Sequence, residues 1–323
     1  METGVRTLFT KRFRVMGGPA MLRFVTDRGT RHAERIARAA IREAERLEMK
    51  YSRFLPGSLL SRINRDAGRT PVAVDAETVW LVEQALELAR CTQGAFDPTV
   101  GVLRRVWDFR KQLVPDDGTL QTARPLVNHK EVLVRDGTVF LRREGMELDL
   151  GGVVKEYAVD RLADLLRGEA VESAIVDLAG DLRTVGSRGD GRPWNLGVAD
   201  PRAAGRCRFS VRVVGDAGVA SSGDYERYFM KDGVRYHHLL DARTGRPARG
   251  VSAATAIGPC ALRAGLAATA AFLLGPGAGL DHLESLEGIE GVLITSEGTV
   301  LATTGMDRLW DVPGTLYAKY PLI

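Results

Sequence analysis

Long apolar runs are absent from this 323-residue chain; no stretch approaches the roughly 18 hydrophobic residues that a membrane-spanning helix needs. The opening METGVRTLFT leads into KRFRVMGGPAML, where charges interrupt each apolar run and leave no core for a signal peptide. A cytoplasmic protein is the resulting expectation. Cysteine is scarce: Cys91, Cys207 and Cys260 form no CxxC pair and have no histidine at a ligand spacing, which excludes a disulfide scaffold and a structural zinc site. Charge of one sign is missing too. Lysine and arginine total 45 against 41 acidic residues, and the net charge of +4 is too small an excess to argue for a nucleic-acid partner. Repeats, heptads and low-complexity tracts are also lacking, so the fold is built from single elements in order.

What is present is an ordinary globular balance, 45% hydrophobic and 27% charged, with length for a substantial core. Ile36, Ala40, Ile41, Ala44 and Leu47 recur at three- and four-residue intervals and predict an amphipathic helix from Arg31 to about Met49. A second helix is expected after the N-cap Asp75, running to about Arg90, and two more over Lys155 to Arg167 and Ala261 to Leu274. EVLVRDGTVFLRR carries an Asp136/Gly137 turn between apolar runs and predicts a hairpin; GVLITSEGTVLAT repeats the pattern around Gly298. Helices and strands alternate without a regular βαβ period, so the expected class is α+β. Pro115 to Gly118 and Gly186 to Pro193 read as loops inside one domain spanning residues 13–323, after a tail of residues 1–12.

Four segments carry polar residues with glycine punctuation. In ASSGDYERYF, residues 220–229, Ser221, Ser222 and Gly223 form either an ordinary turn or a nest for a phosphate. His237 and His238 are adjacent, so on a strand they point to opposite faces and only one can serve a cleft. Asp241, Thr244 and Gly245 predict a turn closed by the aspartate. ELDLGGVVKEYAVD passes from a strand through Gly151 and Gly152 into a helix whose first-turn amides face outward, with Lys155 either meeting an anion there or solvated. In GAFDPTVG, Phe96 and Asp97 either meet a planar ring and a ribose hydroxyl or form a capped loop over a buried aromatic.

The order of these pieces resembles the FAD:protein FMN transferases, the ApbE-type family. The resemblance runs from Met16 to about Gly305 through MGG at Met16, SLLSRIN ending at Asn64, GAFDPTVGVL, DLGGVVKEYAVD, AGD ending at Asp181, SGDYER from Ser222, HLLDARTGRP from His238 and AGLAATAAFLLG from Ala264. It implies an α+β flavin-transferase fold and an enzyme that cleaves FAD, releases AMP and esterifies FMN to a threonine or serine of a partner protein, usually with magnesium. By the same resemblance Met16, Phe54, Ala95, Phe96, Asp97, Asp149 and Lys155 contact FAD and Ser222 lies near its phosphates. Lys155 and His238 are the implied catalytic residues, with His238 the base for the incoming hydroxyl.

Two departures concern the metal. The family's ADALAT places an aspartate and a threonine on one helix face as metal ligands, and this chain has Gly265 and Thr269 there. The third family ligand is a backbone carbonyl, which falls on Gly152. Glycine offers no carboxylate, so magnesium would be held weakly. The family's Lys-Gly has become Lys155 and Glu156; Glu156 is either a favourable acid in the first turn of a helix or the supplier of the missing metal ligand. DPRTG has become Asp241, Ala242 and Arg243, which loosens a turn and removes no ligand. Besides an active transferase, the sequence leaves open a flavin-binding pseudoenzyme acting as carrier or sensor, and a repurposed FAD hydrolase or small-molecule transferase.

Overall fold

The computed structural model describes residues 6–311. The chain opens with an antiparallel hairpin, β1 (Thr7–Val15) and β2 (Gly18–Thr26), then α1 (Gly29–Tyr51), α2 (Leu59–Arg65), β3 (Val72–Ala73) and α3 (Ala76–Cys91). Next come α4 (Leu103–Val106), α5 (Asp117–Ala123), the hairpin β4 (Val132–Arg135) and β5 (Thr138–Leu141), and α6 (Val154–Gly168). Then follow β6 (Ala174–Leu178), β7 (Asp181–Val185), β8 (Trp194–Ala199), β9 (Cys207–Val213) and β10 (Ala217–Gly223). The hairpin β11 (Tyr228–Lys231) and β12 (Val234–His237) and the short pair β13 (Leu240–Asp241) and β14 (Arg246–Pro247) precede β15 (Val251–Gly258). The described chain ends with α7 (Ala261–Leu274), α8 (Pro276–Ser285), β16 (Glu290–Thr295), β17 (Val300–Ala302) and β18 (Trp310–Asp311).

The helices follow from their sequence periodicity. On α1 the buried residues Ala33, Ile36, Ala37, Ala40, Ala44, Leu47 and Tyr51 form one stripe. The N-cap expected at Asp75 is present, its Oδ1 accepting from the Thr78 amide at 3.0 Å. Both expected hairpins form. Asp136 and Gly137 turn at φ of 49° and 69°, and this double positive φ matches the right-handed twist of the flanking strands. The loop expected at Pro115 to Gly118 runs into α5 instead, because Asp116 caps it through the Thr119 amide at 2.7 Å. The expected tail is also strand: Thr7 to Arg12 pair with Met21 to Thr26.

Eight strands form one sheet in the order β1-β2-β6-β7-β10-β15-β16-β17, antiparallel throughout. Helices α1, α6 and α7 cover one face; the small sheet β18-β9-β8 covers part of the other. Strand alternation divides the core between them. On β6, Ala174, Val176 and Leu178 join the helix side and Ile175 the opposite side, and β15 is buried at all eight residues because both of its faces are covered. A third cluster around Trp107, Leu103, Phe229 and Leu240 roots the β11–β12 hairpin. No helix among the described residues is long and apolar enough to cross a membrane.

Candidate functional site

Four pieces meet at one end of the large sheet: the Ala179–Gly180 turn with Asp181, the end of β10, the first turn of α6 and the middle of α7. The Ser221 amide donates to Asp181 Oδ1 at 3.3 Å, and Ser222 Oγ shares a hydrogen bond with Thr269 Oγ1 at 3.0 Å. Lys155 Nζ pairs with Asp181 Oδ2 at 2.5 Å and lies 3.8 Å from Glu156 Oε1. The β1–β2 turn joins the same end, where the Ala179 amide donates to the Pro19 carbonyl at 2.8 Å. Met16 occupies that turn at φ 53°, half-buried against the main core.

Glu156 does not behave as a solvated first-turn acid. Its residue is 6% exposed and Oε2 has no hydrogen-bond partner in the protein. Burial, then the charge of Asp181, pushes the carboxyl up to about 8. Burial opposes charge on Lys155, yet Asp181 and then Glu156 outweigh it and raise the ammonium above its ordinary range. Gly265 explains where the Glu156 side chain goes: a Cβ at Gly265 would lie 2.4 Å from Glu156 Cγ and 3.2 Å from its Cδ. Glu156 therefore occupies the space that any larger residue at 265 would need.

Among the described residues no group of three or more His, Cys, Asp or Glu side chains is disposed to hold a metal ion. What the site does offer is two buried carboxylates, the hydroxyls of Ser222 and Thr269 and an oxygen of Glu156 without a protein partner. Oxygen donors of this kind suit a hard divalent cation.

A second group of charges surrounds Asp149. Its amide donates to the Pro98 carbonyl at 2.7 Å, Oδ1 accepts from the Gly151 amide at 2.9 Å, and Oδ2 pairs with Arg104 Nε at 2.9 Å and Arg53 Nε at 3.4 Å. Burial opposes its ionisation, but Arg104 and then Arg53 hold the carboxyl below the usual range. The GAFDPTVG loop lies alongside. Phe96 is buried, and its Cε2 would touch a Cβ at Gly152 at 3.4 Å; the Ala95 carbonyl accepts from the Ala242 amide at 3.0 Å.

Asp97 departs from the expectation that it reaches a ligand. Oδ1 accepts from the amide and hydroxyl of Thr99, and Oδ2 accepts from the amide of His129 at 2.8 Å and pairs with its Nδ1 at 2.9 Å. All four lone-pair positions of the carboxylate are committed inside the protein, so this side chain shapes the loop. Phe54 is separate again, 73% exposed, with the Arg53 guanidinium 4.4 Å from its ring centroid.

Of the adjacent histidines only His237 belongs to β12; His238 follows it in a bend. His237 is buried, its Nε2 donating to the Ala248 carbonyl at 2.9 Å and its ring standing edge-on to Phe272. His238 is half-buried, its amide donates to the Arg227 carbonyl at 3.1 Å, and its Nδ1 is buried without a partner. Burial, then the charges of Arg104 and Arg227, pushes His238 down to about 3, so the ring is neutral at pH 7. The Asp241 turn forms as expected, with Oδ1 accepting from the Arg243 amide at 2.9 Å and the Gly245 amide reaching the Asp241 carbonyl at 2.8 Å.

Sequence reasoning missed the roles of Asp181, Arg53 and Arg104. The AGD turn after an apolar strand marks Asp181. Nothing in GVLRR distinguishes Arg104 from Arg105, because what selects Arg104 is the distant Asp149.

Comparison with known proteins shows the family. A "FAD:protein FMN transferase" of Treponema pallidum is 36% identical over 281 residues, 81% of this chain and 78% of that protein. A protein of the same name from Klebsiella pneumoniae is 31% identical over 295 residues, 90% of each chain. The crystal structure of the ApbE protein from Thermotoga maritima superposes with a TM-score of 0.85 at 32% identity, covering 95% of this chain and all of that one. The flavin transferase ApbE from Vibrio cholerae superposes at 0.83 with 26% identity, covering 94% and 99%. With the ApbE family profile matching residues 16–293 as well, the chain belongs to the ApbE family.

Proposed function

We propose that this protein transfers FMN from FAD to a threonine or serine hydroxyl of a partner protein and releases AMP. The observation that carries the reading, beside the family, is His238: a neutral imidazole whose Nδ1 has no partner, in the field of two guanidinium groups. In the reaction the acceptor oxygen forms a bond to the FMN phosphorus as the bridging P–O bond breaks. The hydroxyl proton passes to His238 and AMP leaves as the phosphate anion. Burial, and after it Arg104 and Arg227, depress the basicity of His238 in the free protein; an anionic pyrophosphate near the two guanidinium groups offsets their part of that shift.

Met16, Phe54, Ala95, Phe96, Asp149 and Lys155 are the proposed contacts for FAD, with Ser222 facing its phosphates and Asp97 acting through the loop it braces. Lys155 is held by Asp181 in the free protein and can shift toward an arriving phosphate. The Thr269 hydroxyl, the Gly152 carbonyl and the Glu156 carboxylate would hold a divalent cation such as magnesium, which when bound neutralises charge on the pyrophosphate oxygens. A flavin-binding pseudoenzyme drew its support from the glycine at 265, and Glu156 fills that space.

The test is to mix the protein with FAD, magnesium and a threonine-bearing flavinylation peptide, then record intact peptide mass and AMP. A mass gain of one FMN with equimolar AMP is expected in the parent. His238→Ala should lower the rate by about 100-fold or more at unchanged FAD affinity. FAD bound but intact at every metal concentration would overturn the reading.

A further inference from the structure

We propose that Glu156 and Gly265 are an exchanged pair: the carboxylate that holds the divalent cation stands on α6, and Gly265 is the opening on α7 that admits it, with Asp181 as the second carboxylate. The inference rests on the transferase reading for the identity of the ligand and on geometry for the residues.

Three observations converge on this. A glycine in the middle of a helix is unfavourable relative to alanine, and α7 is otherwise rich in alanine and leucine. Gly265 has a physical reason to be there, since a Cβ would lie within 2.4 Å of Glu156 Cγ and 3.3 Å of its Cβ. Next, Glu156 is 6% exposed and no protein donor faces Oε2, so as a carboxylate it is left unsatisfied unless a cation coordinates that oxygen. Finally, the groups at this point are of one chemical kind. Thr269 lies one helical turn after Gly265 on the same face, its hydroxyl 3.0 Å from that of Ser222, and the Asp181 carboxylate is joined to Glu156 through Lys155.

Two carboxyl groups stand beside a single ammonium, so a dication that takes the place of the Glu156 proton suits the cluster better than another anion. Carboxylate and hydroxyl oxygens without a thiol or free imidazole select a hard ion of the magnesium or manganese type. Residues 156 and 265 are thereby coupled: a side chain at 265 and the glutamate at 156 compete for one volume. Adding an aspartate at 265 alone does not add a ligand to this site, because it displaces the one already there.

The experiment titrates Mn2+ into the full chain with FAD present and no acceptor, following free Mn2+ by electron paramagnetic resonance and unfolding by thermal denaturation. Glu156→Gln keeps the side-chain volume and removes the charge; it should fold and weaken Mn2+ binding by about tenfold or more. Gly265→Asp alone should lower the melting temperature and also weaken binding. The double variant Glu156→Gly with Gly265→Asp should recover binding to within a few-fold of the parent, a coupling that independent sites do not show. Glu156→Gln binding Mn2+ as tightly as the parent would overturn the exchange, as would a stable Gly265→Asp with undiminished binding. The peptide assay fails or succeeds separately, so loss of the exchange and loss of the transferase reading are distinguishable.

Discussion

Glu156 and Asp160 lie one turn apart on α6, both buried at the contact with α7, and the protein treats them in opposite ways. Asp160 is fully used. Oδ1 accepts from the Ala261 amide and from Arg183 Nη1, each at 2.8 Å, and Oδ2 accepts from the Leu262 amide at 2.9 Å. Cys260 gives α7 no side-chain cap, so α6 supplies that cap from another element and its negative charge suits the helix N-terminus. Glu156 has no such service to perform and keeps an oxygen unpartnered. The difference separates a carboxylate that fixes where α7 starts from one held ready for a ligand. Sites of the second kind are retained against stability.

That contrast can be broken by substitution. Asp160→Ala should cost about 3 kcal/mol in denaturant unfolding, because two helix amides lose their acceptor and Arg183 is left with a weaker partner in Asp164. No loss of stability on Asp160→Ala would invert the assignment. Glu156→Gln should do the reverse, stabilising the metal-free chain by about 1 kcal/mol at neutral pH while FMN transfer falls. A destabilised Glu156→Gln would mean that the glutamate is structural after all.

A further way to test the site uses acid. His238 sits at about 3 in the folded protein, below its ordinary value of 6.5, so the unfolded chain takes the proton first as pH falls. Its contribution to stability is present above 6.5 and is lost between 6.5 and 3, at no more than about 1 kcal/mol per pH unit. The advantage of the parent over His238→Ala should therefore shrink on going from pH 7 to pH 4. In the free protein the His238 ring proton resonances should show no titration near pH 6.5, and an inflection there would remove the neutral-base argument.

The helices and hairpins were legible because each rests on local rules: the stripe of α1, the Asp75 cap, the Asp136–Gly137 turn. The different surroundings of His237 and His238 were not legible in the same way, since β12 ends at His237 and His238 lies in the bend beyond it. The tail boundary failed because strand residues at a sheet edge carry their meaning in the partner strand, and β1 finds that partner only after the Met16–Gly17 turn. The partners of Asp97 were hidden for a similar reason. The hydrogen bonds that occupy its second oxygen come from His129, 32 residues away.

By itself the sequence determined the α+β class, the order of motifs and the family, because these follow from periodicity, turn chemistry and short motifs in a fixed order. Only the tertiary structure decided that Glu156 is buried against Gly265, that Asp181 holds Lys155 and that Arg104 faces Asp149. Those pairings join residues separated by tens of positions or more, and the energy of a buried charge depends on what packs against it, not on its neighbours along the chain.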